Sequence, residues 1–351
     1  MSELRPASAS EVASMLRDLA SAKTSVRIRG LGTRDRLCVP APKGAAILSL
    51  RAMSAIERLE PDDLTCSVQP GVTCRQLADA LTRAQLELDC LDADDLGTIG
   101  GLYASDPLPA ASPHAASPRS TLLGIDGALM EGLEFRSGAR VVKSVAGFDV
   151  HRLLVGSRGR LFAATLLHLK LRPAPKAKVA FESPPSDVVL ATKLLHTLRI
   201  DASSPKRLML LRENGVAMVC GVASGNPRQV ASLLVRHGLR EATAAKRPHL
   251  SAPDVGHELV VGCVRPSRLL DLVAALPAEA PLLAHGGGHF ETMLTPSRSD
   301  ALVAAMPRIG GHAVVALGAN ARIGVGTHLD VGAERLQREL RSALDPRALL
   351  A

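Results

Sequence analysis

The sequence predicts an α+β protein of two domains, and three observations carry the prediction. Its 351 residues are enough for two domains that each bury a core. Pro173-Ala174-Pro175-Lys176 breaks the chain near its middle, with prolines that neither a helix interior nor a central strand accommodates. The pattern also changes there: short strands separated by glycine loops give way to a regular alternation of strands and helices. The domains expected are 1–175 and 176–351.

In the first domain, Ser8-Ala9-Ser10-Glu11 has the form of a capping box, with Val12, Met15, Leu16 and Leu19 at helical spacing behind it. Ser25–Arg29 reads as a strand with Val26 and Ile28 on one face, running into Gly30-Leu31-Gly32-Thr33-Arg34. Val39-Pro40-Ala41-Pro42 excludes a helix after that loop. Short strands are expected at Ile47–Leu50 and Leu64–Val68, then a turn at Pro70-Gly71 and a helix from Cys74 to Leu86 capped by Thr73. Asp92–Ser120 reads as one long loop, a length that points to function or disorder. Strands follow at Leu122–Ile125, Leu133–Phe135 and Arg140–Val142, the last two joined by a Ser137-Gly138 turn. Asp149 is placed to cap a short helix ending at Gly156, and Leu161–Leu171 alternates as a half-buried strand.

Beyond Lys176 the expected order is strand, helix, strand, strand, helix: Lys178–Glu182, Asp187–Leu198, Arg207–Arg212, Ala217–Val222 and Arg228–His237. A strand at Glu258–Val264, a helix at Ser267–Ala275, a strand near Leu282, a helix at Arg298–Met306 and a strand at Ala313–Leu317 continue it. This is the order of ferredoxin-like α/β sandwich units. A charged helix, Ala333–Leu344, closes the second domain, and no repeat of fixed period is evident.

Composition narrows the function classes. Lys and Arg number 42 against 34 Asp and Glu, a net charge of +8. That balance suits nucleic acid, an acidic surface or a small anion. Aromatic residues are only 2% of the chain, so the stacking platforms of single-strand binders are missing, and the basic residues form no run. A small anion is the partner expected, and no nucleic acid. The six cysteines, Cys38, Cys66, Cys74, Cys90, Cys220 and Cys263, have neither disulfide nor metal-ligand spacing and are read as free thiols of a reducing compartment. The charged N-terminus reads as no export signal, and no stretch approaches the roughly 18 apolar residues of a span. A cytoplasmic protein is expected, tied to a membrane only through partners.

Gly30-Leu31-Gly32 after a strand invites a dinucleotide fingerprint, but Asp35 stands where the third glycine belongs and prolines replace the helix. No phosphate-binding Gly-Lys-Ser or Gly-Lys-Thr occurs either. What remains is a loop whose backbone N–H groups can face an anion without a helix, flanked by Arg27, Arg29, Arg34 and Arg36. Gly97-Thr98-Ile99-Gly100-Gly101 is a second such loop, and Gly147 with Gly156-Ser157-Arg158-Gly159 a third cluster. Glycines after successive strands let the backbone approach an extended ligand at several points. His285-Gly286-Gly287-Gly288-His289 reads as two histidines flanking a flexible turn and not as a metal site. No Ser/His/Asp set or carboxylate pair stands out.

Taken in order, these segments resemble the FAD-binding domain of the vanillyl-alcohol oxidase family, the p-cresol methylhydroxylase (PCMH) type. Gly30-Leu31-Gly32-Thr33-Arg34 stands at its pyrophosphate loop, Val68-Gln69-Pro70-Gly71-Val72-Thr73 is similar to its "EPGVT" turn, and Gly97–Gly101 to its "GTxGG" loop. Arg119 with Leu123-Gly124 is similar to its "RDxVLG" segment. Lys143-Ser144-Val145-Ala146-Gly147-Phe148-Asp149-Val150, continuing through Arg152 to Gly156-Ser157-Arg158-Gly159-Arg160-Leu161, resembles the "KNVAGYDLSRLLVGSxGxL" signature of glycolate oxidase E subunits. The resemblance covers roughly residues 5–175.

The resemblance implies a PCMH-type FAD domain followed by a ferredoxin-like C-terminal domain of the FAD-linked oxidases. It implies FAD contacts at Gly30, Leu31, Gly32, Thr33, Arg34, Pro70, Gly71, Gly97, Thr98, Gly100, Gly101, Ser105, Arg119, Gly124, Lys143, Gly147, Asp149, Gly156 and Leu161. No histidine lies between Gly30 and Arg36, so non-covalent FAD is expected. The implied activity is hydride transfer to flavin from a small 2-hydroxy acid, beside a homologous D-type flavin subunit and an iron–sulfur F-type subunit. His312, next to Gly310-Gly311, is the one catalytic candidate the resemblance suggests. The chain departs from the family at Asp106-Pro107, at Ser120 after Arg119 and at its last residues, Asp345–Ala351. Those departures support the alternative, a non-enzymatic structural subunit that keeps the fold with weakened or lost FAD binding.

Overall fold

The computed structural model describes residues 3–35, 38, 41–92, 95–105, 116–140, 148–203, 205–243, 250, 254–317 and 331–351, with side chains from 335 in the last stretch. They fall into two compact units: the described residues of Met1–Pro107, Ala116–Ala174 and Leu329–Ala351, and those of Pro175–His328.

The first unit opens with β1 (Glu3–Leu4), α1 (Ala9–Ser21), β2 (Val26–Arg29) and β3 (Ala46–Ser49). The Ser8 hydroxyl accepts the Glu11 N–H at 3.2 Å, while the Glu11 carboxylate reaches back to the Ala7 N–H at 2.8 Å. β1, β3 and β2 form a parallel sheet under α1, whose Val12, Leu16 and Ala20 are buried against Val26 and Leu48. Next come β4 (Ile56–Glu60), β5 (Thr65–Val68), α2 (Cys74–Arg83), β6 (Leu86–Glu87), α3 (Ile99–Ser105) and α4 (Pro118–Thr121). β7 (Leu122–Ala128), β8 (Glu134–Gly138), α5 (Val150–Leu153), β9 (Ala163–Lys170) and β10 (Arg172–Pro173) complete this part.

Five strands form an antiparallel sheet in the order β4-β5-β9-β7-β8. β9 is not half-buried as its alternation suggests. It lies between β5 and β7, so Leu167 and Leu169 enter the core under α2 while Ala163 enters the core under α1. Ser137-Gly138 is not a turn but the end of β8, paired with Ile125 and Gly124; the hairpin closes instead where the Leu129 N–H meets the Leu133 carbonyl. The expected strand at Arg140–Val142 lies, beyond Arg140, outside the described residues. Neighbouring strands also join Ser67, His168 and Asp126 into a chain no sequence spacing announces. Ser67 Oγ is 2.8 Å from His168 Nδ1, His168 Nε2 is 3.5 Å from Asp126, and Arg136 holds Asp126 with two bonds. Ser67 and His168 are buried, so the chain is a structural link with no access for substrate.

The terminal helix α10 (Val331–Leu344) belongs to this first unit, not to the second domain. The Asp345 carboxylate turns the chain by accepting the N–H groups of Leu349 and Leu350 at 3.0 and 2.8 Å. Leu350 then pairs in parallel with Val26 and is fully buried, and Arg347 donates to the Ala20 carbonyl at 3.0 Å. Burial of Leu349 and Leu350 in the α1 core decides this placement, and the charged surface of α10 gives no hint of it.

The second unit holds two successive β-α-β-β-α-β sets. The first comprises β11 (Ala177–Glu182), α6 (Val188–Ile200), β12 (Arg207–Glu213), β13 (Val216–Gly225), α7 (Pro227–Arg236) and β14 (Arg240–Glu241). The second comprises β15 (Glu258–Val264), α8 (Leu269–Ala275), β16 (Leu282–His285), β17 (His289–Leu294), α9 (Pro296–Ile309) and β18 (Gly311–Leu317). All eight strands form one antiparallel sheet, β14-β11-β13-β12-β16-β17-β15-β18. Each half has its own four strands in the ferredoxin-like order, and the halves join edge to edge through β12 and β16. The repeat lies in the order of elements, which is why no period shows in the residues. Leu208, Leu210, Val260, Leu282 and Phe290 face the helices in one core, and Met209, Cys220, Leu259 and Leu283 lie on the other face of the sheet.

Candidate functional site

The first unit contains a cavity lined by its loops and by residues of its five-stranded sheet. Its wall is loop: the end of β2 continues as Gly30–Asp35, facing Thr98, Gly100 and Gly101 at the start of α3. Asp92–Ser120 is therefore not one long loop. Thr98 Oγ1 accepts the Gly101 N–H at 3.1 Å and holds the first turn of α3. The Gly100 N–H donates to the Pro70 carbonyl at 2.9 Å and the Ile99 N–H to Val72 at 2.8 Å, which ties the turn before α2 to α3. Gly30 is required by close approach: a Cβ there would stand 2.5 Å from Thr98 Oγ1.

The floor is apolar, with Leu122, Ile125 and Leu167 from the five-stranded sheet, Phe162 just before β9, and Tyr103 from α3. Tyr103 is buried, its hydroxyl 2.7 Å from Thr121 Oγ1, and burial holds its phenol well above the usual range. The loop arginines have partners already. Arg29 pairs with Asp35 at 2.8 Å and Arg34 pairs with Asp95, which also accepts the Gly97 N–H at 2.7 Å. Arg158 stands exposed on the rim at φ +55°.

Of the residues suggested by sequence, Gly30, Leu31, Gly32, Thr33, Arg34, Pro70, Thr98, Gly100, Gly101 and Ser105 line this cavity. Gly71, Gly97, Arg119, Gly124, Asp149, Gly156 and Leu161 are not part of its lining. Gly71 serves packing instead, since a Cβ there would sit 2.5 Å from the Leu50 carbonyl and 2.6 Å from that of Met53. Gly124 lies in β7 opposite Gly138, and Arg119 is exposed on α4. Asp149 occupies the N-cap position of α5, but its side chain makes no capping bond and pairs with Arg152 at 3.3 Å. Lys143, Gly147 and Asp106-Pro107 lie outside the described residues. Sequence reasoning did not select Cys38, Tyr103, Phe162 or Arg158, which also line the cavity. For Arg158 the signal was present, because it sits inside the Gly156–Gly159 cluster.

His312 is in the second unit, exposed on β18 and opposite Cys263 of β15. Cys263 is opposite His289 of β17 on its other side, so the three form a row across the sheet. Burial, then the neighbouring His312, pulls the His289 imidazole down to about 4, and burial pushes the Cys263 thiol up. His285 and His289 flank a hairpin joining adjacent strands, closed by the Gly288 N–H on the His285 carbonyl at 2.8 Å, so the turn is ordered and not flexible. Among the described residues no group of three or more His, Cys, Asp or Glu is arranged to hold a metal, and no helix is long and apolar enough to cross a membrane.

The fold of this chain is shared with a solved alkyldihydroxyacetonephosphate synthase. The superposition covers 99% of this chain and 76% of that one at a TM-score of 0.70, with 14% identity. Residues 3–136, which carry the glycine cradle, match the family model described as an FAD binding domain. The first unit holds an FAD-binding domain of the PCMH type. Its curated relatives include glycolate oxidase subunit GlcE of Escherichia coli, 29% identical over 46% of this chain and 46% of that protein. Glycolate oxidase subunit GlcD of Bacillus subtilis is 28% identical over 50% of this chain and 37% of its own length. A mitochondrial D-lactate dehydrogenase (cytochrome) of Arabidopsis thaliana is 27% identical over 50% of this chain and 30% of its own. The matched region thus spans less than half the length of each of these relatives. The cavity fits the cofactor these comparisons support: glycines of three loops, Gly30 and Gly32, Gly100 and Gly101, and Gly159, border it above an apolar floor.

Proposed function

We propose that this chain is an FAD-dependent oxidoreductase that takes a hydride from a small 2-hydroxy acid such as glycolate. In this reading it is the flavin subunit of a complex with a homologous D-type subunit and an iron–sulfur F-type subunit. The observation that carries it is the close approach of Gly30 to Thr98 over a cavity with an apolar floor. Bound flavin supplies the hydride acceptor, and the protein supplies position and electrostatics. The backbone N–H groups of the Gly30–Arg34 loop would hold the pyrophosphate, where no net side-chain charge is needed, and the Thr98–Gly101 turn, whose Ile99, Gly100 and Gly101 N–H groups are already bonded within the protein, would back that loop. Leu122, Ile125, Phe162 and Leu167 keep water from the buried end of the cavity. His312, exposed on β18 beside a half-buried thiol, is the proposed catalytic candidate. No histidine occurs in residues 30–35, so the flavin is held non-covalently.

One observation favours the rival reading of a structural subunit that has lost its flavin: both loop arginines are neutralised by Asp35 and Asp95. The visible spectrum of the purified chain, with and without added FAD, separates the two. Flavin bands that heat releases into the supernatant, and that glycolate bleaches under anaerobic conditions once the partner subunits are present, are expected. A colourless protein that FAD neither binds nor stabilises leaves the structural subunit as the function.

A further inference from the structure

Two glycine loops of the cavity are joined by an ion pair. Asp95 lies 61 residues beyond Arg34 in the chain. One oxygen of its carboxylate holds the Arg34 guanidinium, and the other accepts the Gly97 N–H at 2.7 Å. The guanidinium rests on bare backbone: a Cβ at Gly97 would overlap Arg34 Nη1, and one at Gly101 would stand 3.2 Å from the same nitrogen. Glycine at both places leaves the room that the side chain fills. The second loop is itself anchored, since the Gly97 carbonyl accepts the Cys74 N–H at 3.0 Å at the start of α2 and Thr73 pairs with Thr98. Arg34 therefore fastens the Gly30–Arg34 loop to a fixed one. The other loop arginine is placed differently. Asp35 comes from the same stretch of chain as Arg29, and the two side chains are 37% and 48% exposed, so solvent screens that pair. Arg34 and Asp95 are only 15% and 20% exposed. Arg34 lines the cavity and Asp95 does not, so the carboxylate grips the guanidinium from outside the lining.

We propose that Asp95 is a positioning residue for the flavin dinucleotide: through Arg34 it clasps the Gly30–Arg34 loop to the Gly97–Gly101 loop in the shape that takes up a diphosphate. The proposal rests on the flavin reading above. A loop fixed before its ligand arrives loses less freedom on binding, and the affinity is higher for it. The pair is neutral as a whole, so the clasp adds order to the cradle and not net charge. An arginine suits this place because its planar fork meets a carboxylate and still spans two loops, which the point charge of a lysine does not.

Fluorescence titration of the full chain with FAD tests the clasp. Asp95→Asn keeps an acceptor of nearly the same shape and removes the charge that grips Arg34. FAD binding about tenfold weaker is expected (about 1.4 kcal/mol), with the melting temperature of the flavin-free protein unchanged. Arg34→Met should lose at least as much. The double variant, Arg34→Met with Asp95→Asn, should lose no more than Arg34→Met alone, because Asp95 acts only through Arg34. A carboxylate that merely held the Gly97 turn would give additive losses instead. Arg34→Lys keeps the charge without the fork; a loss like that of Arg34→Met is expected, and it decides the matter if Asp95→Asn fails to fold. Wild-type affinity in Asp95→Asn or in Arg34→Lys, or additive losses in the double variant, overturns the proposal. Tighter FAD binding by Asp95→Asn also overturns it, and would mean that the carboxylate competes with the diphosphate for Arg34. If the wild-type chain takes up no FAD, the flavin reading fails and the proposal falls with it. If the wild type binds FAD and only the expected losses are missing, the proposal fails alone.

Discussion

The first unit gathers its cavity from loops far apart in the chain, at residues 30–35, 98–101 and 157–159, with glycine in each of them. The second unit is a single eight-stranded ladder built twice from the same order of elements, and its reactive groups are side chains placed by register. A backbone-built site depends on what is missing, chiefly the Cβ of Gly30, so one added carbon damages it while the core stays intact. A ladder-built unit depends on what is present, chiefly buried aliphatic volume, so truncation harms it most. The difference gives each unit its own mode of failure, and three experiments set the two against each other.

The largest effect is expected from truncating the ladder. Leu210 is fully buried on β12 in the core under the helices. Leu210→Ala should destabilise the protein by about 2–5 kcal/mol, the range for a leucine cavity. Thermal or urea denaturation measures the loss, and FAD affinity at low temperature should stay at the wild-type value. If FAD binding falls with stability, the two units do not fail separately and the contrast is wrong.

Next comes the cradle. Gly30→Val puts a branched side chain where even a Cβ would stand 2.5 Å from Thr98 Oγ1. The Thr98 hydroxyl must then leave the Gly101 N–H, and the first turn of α3 opens. FAD affinity measured by fluorescence quenching should drop about 100-fold, or about 2.7 kcal/mol, with a much smaller change in melting temperature. Adding Thr98→Ala makes room for the valine and should restore part of the affinity. Wild-type FAD binding by Gly30→Val would mean that the cofactor does not sit at this loop.

The same contrast explains what the sequence reveals. Caps are local, so the Ser8–Glu11 box, Thr73 with Gln76 and Asp187 are legible at their own positions. The cradle is largely legible because its glycines stand in short contiguous loops. α3 is hidden because Gly100-Gly101 looks like a helix breaker, and the N–H groups of these glycines are held instead by the Pro70 carbonyl and the Thr98 hydroxyl. β4 shows no clear alternation because it is a sheet edge in which no residue is fully buried. The Ser67–His168–Asp126 chain, the His289–Cys263–His312 row and the return of Leu350 to Val26 come from strand pairing across long separations. No spacing in one sequence encodes those neighbours.

The smallest effect is a pH dependence that distinguishes the row from the cradle. His289 is pulled down to about 4, first by burial and then by His312. In the unfolded chain it titrates near the ordinary 6.5. The folded protein therefore stays unprotonated at His289 where the unfolded chain has already taken up a proton. The stability this contributes is fully present above about pH 6.5 and is lost as pH falls toward 4. His168 and His151 in the first unit shift in the same direction, again mainly by burial, so the wild type should lose stability over the same acid range. His289→Gln removes one titrating group and should flatten the fall in melting temperature between pH 6.5 and 4.5 without touching FAD affinity at pH 7.5. An unchanged slope would mean that His289 is open to protons in the folded protein, and the row would then be a solvated edge of the sheet instead of a half-buried one.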